Sequence, residues 1–197
     1  MSILSLRKSG GNAWGKNRDK QAPLIDSELL AGVFANHDSD DCIHVLDVGL
    51  GIADTVEVLQ QFRCKVYFLD LLGVIETESI DGIAAVFAEY SGELFDVCLF
   101  WDLLHRLSPA QLSQLSNELE PYIYSRTQAH TLVNPAASES YRLRGVNQLA
   151  VTPGAGHEYP TRSLTRLLQH FQCFEILTDE FRTDGRLEMV LQTPQKR

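Results

Sequence analysis

A carboxylate followed by a glycine-containing turn is the strongest chemical signal in the sequence. Asp47 lies near the end of the short apolar run IHVLDV, and Gly49-Leu50-Gly51 follows directly, before a helix-forming stretch. Because Gly49 and Gly51 carry no side chains, a ligand can approach the backbone closely at this turn. The following helix points the positive end of its dipole at the loop, and open α/β sheets bind ligands at such strand ends. The sequence therefore predicts a ligand site at residues 47–51.

The spacing of these residues discriminates between nucleotide ligands. The dinucleotide fingerprint G-x-G-x-x-G requires a third glycine at position 54, where Asp54 would instead place negative charge beside a pyrophosphate. Asp47, two residues before Gly49, suits a ligand that carries an ammonium group. The pattern therefore argues against a nicotinamide dinucleotide and favours a ligand with a cationic amino group.

A second carboxylate follows the next apolar run. Asp70 comes directly after KVYFL (65–69) and lies 21 residues beyond Gly49. A carboxylate at this strand end can accept hydrogen bonds from both hydroxyls of a ribose, as in other nucleotide-binding α/β folds. The alternative is an ordinary helix N-cap for the residues that follow. The spacing favours the ribose role and leaves the cap open.

Two motifs resemble those of the class I S-adenosylmethionine-dependent methyltransferases. Residues 47–53 follow the first-motif pattern D-x-G-x-G-x-(G/A), with Ala53 in the last place. The stretch FDVCLFWDLLH (95–105) is similar to the fourth-strand motif of the same family. The resemblance spans residues 24–193 and is closest to a poorly characterised bacterial group with a W-D-L-L segment after the fourth strand.

The resemblance implies S-adenosylmethionine as the cofactor and methyl transfer to an unidentified small molecule or protein as the reaction. The residues that it implies for cofactor binding are Asp47, Gly49, Leu50, Gly51, Asp70, Trp101 and Asp102. Trp101 and Asp102 would leave the fourth strand beside the methionine part of the cofactor, where an indole face offers a cation–π contact to the sulfonium. A plain core position for Trp101 is the alternative. The competing function is a catalytically inactive interaction or regulatory module.

The sequence does not identify the catalytic residues. The histidine that commonly follows the fourth strand in small-molecule methyltransferases is replaced by Arg106, with His105 one place earlier. A general base has to lie within hydrogen-bond reach of the acceptor. The candidates are His105, His157 and Tyr159. The resemblance also implies an acidic residue that contacts the adenine. Its candidates are Glu76, Asp81 and Glu89, and the sequence does not rank them. The N-P-P-Y motif of methyltransferases that act on nucleic-acid amino groups is absent.

Around these motifs, strand-like and helix-like segments alternate, which calls for a parallel sheet covered on both faces. Predicted strands lie at 43–48, 65–69, 95–101, 130–133, 174–177 and 187–192, and predicted helices at 23–34, 54–62, 109–120 and 161–171. Residues 71–94 allow a helix near 78–90 or a short strand near 83–88. The last two strands are too close in sequence for a crossover helix and should pair antiparallel. Residues 134–160 form a long connection, which is often functional.

The predicted fold class is α/β, a Rossmann-like methyltransferase fold over residues 23–197. It has a mostly parallel central sheet flanked by helices and a C-terminal antiparallel hairpin. Residues 1–22 are expected to form a flexible basic arm. Residues 1–25 carry a net charge of +4, so the remainder carries −13 of the total of −9. Because an acidic body repels phosphates, nucleic acid is not an expected partner.

Cysteine usage and hydropathy favour a cytoplasmic protein. The 4 cysteines include no C-x-x-C pair, which fits reduced, buried thiols. No His/Cys cluster has the ligand spacing of a zinc site, so no metal is expected. No apolar run approaches the roughly 18 residues that a membrane span requires, and the N-terminus lacks the charge order of a signal peptide.

Overall fold

The computed structural model describes residues 22–37, 41–49, 53–71, 73, 82–134, 139–153 and 164–195, with the backbone alone at 53–54 and 164–166. The predictions made for the arm at 1–21 lie outside these ranges. The same holds for the predictions at Leu50, Gly51, Glu76, Asp81, His157 and Tyr159.

The described residues form nine strands and five α-helices. The strands are β1 (Leu24–Asp26), β2 (Ile43–Asp47), β3 (Cys64–Phe68), β4 (Val97–Trp101), β5 (Gln128–Val133), β6 (Glu139–Gly145), β7 (Gln148–Pro153), β8 (Glu175–Phe181) and β9 (Leu187–Gln192). The helices are α1 (Glu28–Ala35), α2 (Ala53–Leu59), α3 (Gly82–Ala88), α4 (Pro109–Leu119) and α5 (Leu164–His170). A 3₁₀ turn at Glu120–Tyr122 follows α4. None of the described helices is long and apolar enough to cross a membrane.

The central sheet has six strands in the order β3-β2-β4-β5-β9-β8. The first four run parallel, whereas β9 pairs antiparallel with β5 and β8 antiparallel with β9. This topology confirms the predicted mostly parallel sheet and its C-terminal antiparallel pair. The carboxyl ends of β2, β3 and β4 therefore meet at one edge of the sheet, where the described site residues Asp47, Gly49, Asp70, Trp101 and Asp102 lie.

Two apolar clusters cover the two faces of this sheet, because successive residues of each strand point to opposite sides. Along β4, Cys98 faces a cluster that includes α3, α4 and α5. Its neighbours Val97 and Leu99 face a second cluster that includes α1, α2 and the β6–β7 strands. Burial on both faces explains why the run VCLFW is apolar throughout.

A second, three-stranded sheet corrects the prediction for residues 134–160. The segment was expected to be a long connection, but β6 and β7 form an antiparallel hairpin in which Tyr141 pairs with Val151 and Leu143 with Leu149. The two-residue period of Tyr141 and Leu143 was the signal for a strand. The prolines and glycines at 153–160 obscured it.

The first predicted helix is also partly wrong, because its first residues form a strand instead. Leu24–Asp26 pairs antiparallel with β7, and α1 begins only after Ser27, whose hydroxyl accepts the backbone N–H of Leu30. For residues 71–94 the helical alternative is confirmed by α3 at Gly82–Ala88.

Helix α4 begins at Pro109, the first residue of the helix predicted at 109–120, and Ser108 caps it with a complete capping box. The Ser108 hydroxyl accepts from Gln111 N, and the Gln111 side chain accepts from Ser108 N. We expect Ser108→Ala to lower the free energy of unfolding by about 1 kcal/mol, because one cap hydrogen bond is lost. Urea denaturation measures this. Ser125→Ala in an exposed turn is the control, with an expected change within about 0.5 kcal/mol.

Candidate functional site

The centre of the candidate site is the end of β2, between β3 and β4. The Asp47 carbonyl accepts from Leu69 N at 2.9 Å, and Val48 N donates to the Leu99 carbonyl at 3.1 Å. These bonds continue the parallel ladders to the last residue before the glycine turn. The backbone around Asp47 is therefore held from both sides.

The Asp47 carboxylate is buried, and the donors that hold it among the described residues are neutral. Its Oδ1 accepts from Trp101 Nε1 at 2.6 Å and from Gly49 N at 2.9 Å. The residue is 2% exposed. Burial raises the pKa of Asp47 to about 6, although the hydrogen bonds from Trp101 and Gly49 act in the opposite direction. No cationic side chain among the described residues forms an ion pair with this carboxylate.

Trp101 lies directly against the glycine turn. A Cβ atom at Gly49 would lie 2.9 Å from Asp47 Oδ1, 3.1 Å from Trp101 Nε1 and 3.3 Å from Trp101 Cδ1. Trp101 is 5% exposed. The structure thus brings two of the predicted cofactor-binding side chains together across 54 residues of sequence, and glycine at position 49 is what permits this contact.

The contact at Gly49 predicts a large cost for any side chain there. We expect Gly49→Ala to lower the melting temperature and to disrupt the Trp101–Asp47 hydrogen bond, because overpacking of this kind costs about 1–3 kcal/mol. Differential scanning calorimetry measures the first effect, and the Trp101 indole N–H resonance the second. Gly32→Ala is the matched control, since a Cβ there meets nothing within 4 Å. A Gly49→Ala protein as stable as Gly32→Ala would contradict the packing described.

The backbone of Trp101 has an unusual conformation that aims its side chain at Asp47. Its φ angle is 51°, in the left-handed region that bulky residues rarely adopt. The β4–β5 register shifts between Leu99 and Trp101. The Thr131 hydroxyl donates to the Trp101 carbonyl at 2.7 Å, which fixes this irregular strand end.

Asp102 is engaged by Arg106 and by the backbone of the β6–β7 hairpin. Its Oδ2 accepts from the Arg106 guanidinium and, at 3.2 Å, from the backbone N–H of Glu139. Burial raises the pKa of Asp102, while the Arg106 charge acts against this shift. The same guanidinium donates to the Glu139 carbonyl at 2.6 Å. Asp102 therefore joins the end of β4 to the hairpin, and its contact with a cofactor stays a prediction.

Asp70 lies at the same sheet edge, beyond β3, and is exposed. Its Oδ1 accepts from Gly73 N at 2.9 Å, which is the N-cap geometry that the sequence left open as the alternative. The exposed carboxylate retains further acceptor capacity, so a ribose contact stays a prediction. His105 is 7% exposed, and its role as a base likewise stays a prediction.

A buried polar network was missed at the sequence level. Glu188 on β9 is fully buried. Its carboxylate accepts from the Ser27 hydroxyl and, at 2.8 Å, from Arg182 Nη1. It also lies 2.7 Å from His130 Nε2. Glu139 is bound by both Arg186 Nε and Nη2, at 2.7 and 2.5 Å. The polar residues His130 and Glu188, inside the strand runs QAHTLV and LEMVLQ, were the available signal. Across the part of the chain that the structure describes, no group of His, Cys, Asp and Glu side chains is arranged to hold a metal.

The fold is that of the class I S-adenosylmethionine-dependent methyltransferases. An S-adenosylmethionine-dependent methyltransferase from Clostridium acetobutylicum superposes with a TM-score of 0.50 over 87% of this chain and 93% of that chain, at 10% identity. The 1,6-didemethyltoxoflavin N1-methyltransferase of Burkholderia thailandensis, crystallised with S-adenosylhomocysteine, gives a TM-score of 0.49 at 16% identity, covering 84% of this chain and 77% of that chain.

Some matched structures are much longer than this chain. The pyocyanin biosynthetic protein PhzM matches with a TM-score of 0.48 at 11% identity over 84% of this chain, which spans about half of that protein, 54%. No protein-family model matches the sequence, and no curated protein is significantly similar to it.

Proposed function

We propose that the protein binds S-adenosylmethionine at the turn after β2 and transfers its methyl group to a small-molecule or protein acceptor. The observation that supports this proposal is the Asp47 carboxylate, buried at a parallel-strand carboxyl end without a cationic partner among the described residues. Ligands of open α/β sheets bind at this edge.

The physical argument is that buried charges in proteins are normally paired. Two neutral N–H donors satisfy Oδ1 of Asp47 but bring no positive charge. The ammonium group of the cofactor's methionine part would supply this charge. Asp47 therefore fits the cofactor at one end, and the exposed Asp70 carboxylate offers acceptor oxygens for the ribose at the other.

The chain's own part in the reaction is to bind and orient. When bound, the cofactor supplies an electrophilic methyl group on a sulfonium. Asp47 would hold the amino group, Asp70 the ribose, and the backbone at Gly49 would approach the cofactor closely. An acceptor that is already nucleophilic needs little more than correct placement.

The β6–β7 hairpin is the proposed acceptor-side wall. Arg106 and Asp102 connect the first residues after β4 to the backbone of Glu139, where the hairpin begins. Arg186 binds the Glu139 carboxylate from the β8–β9 turn. A hairpin held at this edge by two arginines is a rigid support for acceptor specificity, in the way that segments on a scaffold commonly carry binding residues.

Isothermal titration with S-adenosylmethionine and S-adenosylhomocysteine tests cofactor binding. We expect Asp70→Ala to weaken binding by about 10- to 100-fold, because hydrogen bonds to a charged group are lost. Asp70→Asn separates the roles, since it keeps an acceptor for Gly73 N but removes the charge. Asp179→Ala on the exposed face of β8 is the control. Folded wild-type protein that gives no heat with high-micromolar ligand would contradict the proposal.

A second candidate function is cofactor binding without methyl transfer, in a regulatory module. The observation that favours it is Arg106, which stands in place of the histidine common in small-molecule methyltransferases and is bound to Asp102 and to the Glu139 carbonyl. Incubation with methyl-labelled cofactor and a cell extract distinguishes the two functions. Transfer of label to any acceptor refutes the regulatory module, whereas binding without transfer supports it.

A further inference from the structure

We propose that Trp101 is an internal competitor for the cofactor: its indole N–H occupies Asp47 in the free protein and has to leave before an ammonium group can bind. The inference rests on the proposed function. It adds a gate to the same site, namely the Trp101 side chain that occupies Asp47. It assigns Trp101 a different action from a static aromatic face beside the sulfonium.

The contact between the indole and the carboxylate carries the inference. At 2.6 Å, the Nε1–Oδ1 hydrogen bond is short, as expected for a bond to an ionised acceptor. The indole edge also lies within 3.3 Å of the point where a Gly49 Cβ would be. The indole therefore covers the backbone that a ligand would have to approach, and it uses the carboxylate that the ligand would need.

The backbone conformation of Trp101 favours release of its side chain from Asp47. Its left-handed φ of 51° is unfavourable for a bulky side chain, and such conformations persist only where the surroundings enforce them. The Asp47 hydrogen bond and the Thr131 hydrogen bond to the Trp101 carbonyl provide that enforcement. A ligand that takes Asp47 removes one of these two contacts.

The neighbours of Trp101 are held in place, so release of the indole from Asp47 involves movement of this residue alone. Asp102 is held by Arg106 and by Glu139 N, so the chain after Trp101 is fixed to the hairpin. On the other side, Trp101 meets the His130 ring edge-on, with 6.5 Å between the ring centroids. Among the described residues, the indole donates to Asp47 and meets His130 edge-on, and it shares an apolar cluster with Tyr141.

The first experiment observes Trp101 itself. The chain has 2 tryptophans, so Trp14→Phe leaves Trp101 as the only indole. In a titration of this protein with S-adenosylhomocysteine, we expect the Trp101 Nε1–H resonance to move upfield and the fluorescence emission to move to longer wavelength, because the ring leaves a buried carboxylate. An unmoved resonance at saturating ligand overturns the gate. Because Trp101 itself is not substituted, this measurement does not depend on the folding of a Trp101 variant.

The second experiment removes the competing N–H. We expect Trp101→Phe to bind S-adenosylhomocysteine about tenfold more tightly, the equivalent of one hydrogen bond to a charged group. Phe171→Leu, on the opposite face of the sheet, controls for general loosening of the core and should leave the affinity unchanged.

The outcomes separate the gate from the proposed function. Equal or weaker binding by Trp101→Phe means that the indole positions the carboxylate and does not compete, so the gate is wrong while cofactor binding stands. Binding by Trp101→Phe but not by the wild type supports the gate and contradicts the proposed cofactor binding by the wild type. If neither protein binds, both the gate and the proposed function fail.

Discussion

Asp47→Asn is expected to stabilise the cofactor-free protein by about 1–3 kcal/mol at pH 8 while removing its affinity for S-adenosylmethionine. Burial raises the pKa of Asp47 from 3.8 to about 6, and each pKa unit corresponds to about 1.4 kcal/mol. The ionised carboxylate therefore destabilises the folded state at neutral pH. Asparagine keeps an acceptor for Trp101 Nε1 and Gly49 N and carries no charge.

The pH dependence of this effect has a defined sign. A carboxyl group with a raised folded-state pKa binds protons more strongly in the folded protein, so its destabilising effect is complete above about pH 6 and absent below 3.8. The advantage of Asp47→Asn should thus be largest at pH 8 and shrink as the pH falls from 6 towards 4. Urea denaturation at pH 8, 6 and 4.5 measures it.

Two comparisons make this result specific. Asp179→Asn on exposed β8 should change the free energy of unfolding by less than about 0.5 kcal/mol at every pH. Excess S-adenosylmethionine should raise the melting temperature of the wild type but not of Asp47→Asn, because a ligand stabilises only the protein that binds it. An Asp47→Asn protein that is less stable than wild type at pH 8 would mean that Asp47 has a structural role.

The local features of this site were readable from the sequence because each depends on neighbouring residues. Continuous apolar runs predicted β2, β3 and β4, and the helix predicted at 109–120 is α4. The turn after Asp47 was recognisable since glycine spacing reports close backbone approach. Parallel strands then place Asp47 and Asp70 at one sheet edge, whatever the details of the loops.

The features that were missed depend on residues far apart in sequence. The indole–carboxylate bond joins Asp47 to a residue 54 positions away, and no periodicity reports it. The His130–Glu188 pair spans 58 positions. The hairpin at 139–153 was missed for a different reason. Its two-residue period is short and is flanked by proline and glycine, which are typical of loops.

Glu188→Ala is expected to be the most destabilising single change, at about 3–5 kcal/mol. Glu188 is fully buried and is bonded by Ser27, by His130 and by Arg182. Removing the carboxylate leaves the Arg182 guanidinium without this partner and the His130 imidazole buried, and breaking a buried pair in this way costs about 3–5 kcal/mol. Glu180→Ala, on the exposed strand β8, is the control.

Glu188 and Asp47 should have opposite effects on the stability of the protein when the pH is lowered. The hydrogen bonds from His130, Ser27 and Arg182 lower the pKa of Glu188 even though burial acts to raise it, so its contribution is complete above pH 4.5 and is lost below that as Glu188 protonates. The cofactor-free wild type should therefore gain stability between pH 8 and 5 as Asp47 protonates, and lose it below pH 4. Asp47→Asn should lack the part of the gain that Asp47 contributes, and Glu188→Gln should lack this part of the loss. Profiles of the wild type and Asp47→Asn that run parallel between pH 8 and 5 would show that the Asp47 carboxylate does not protonate in this range.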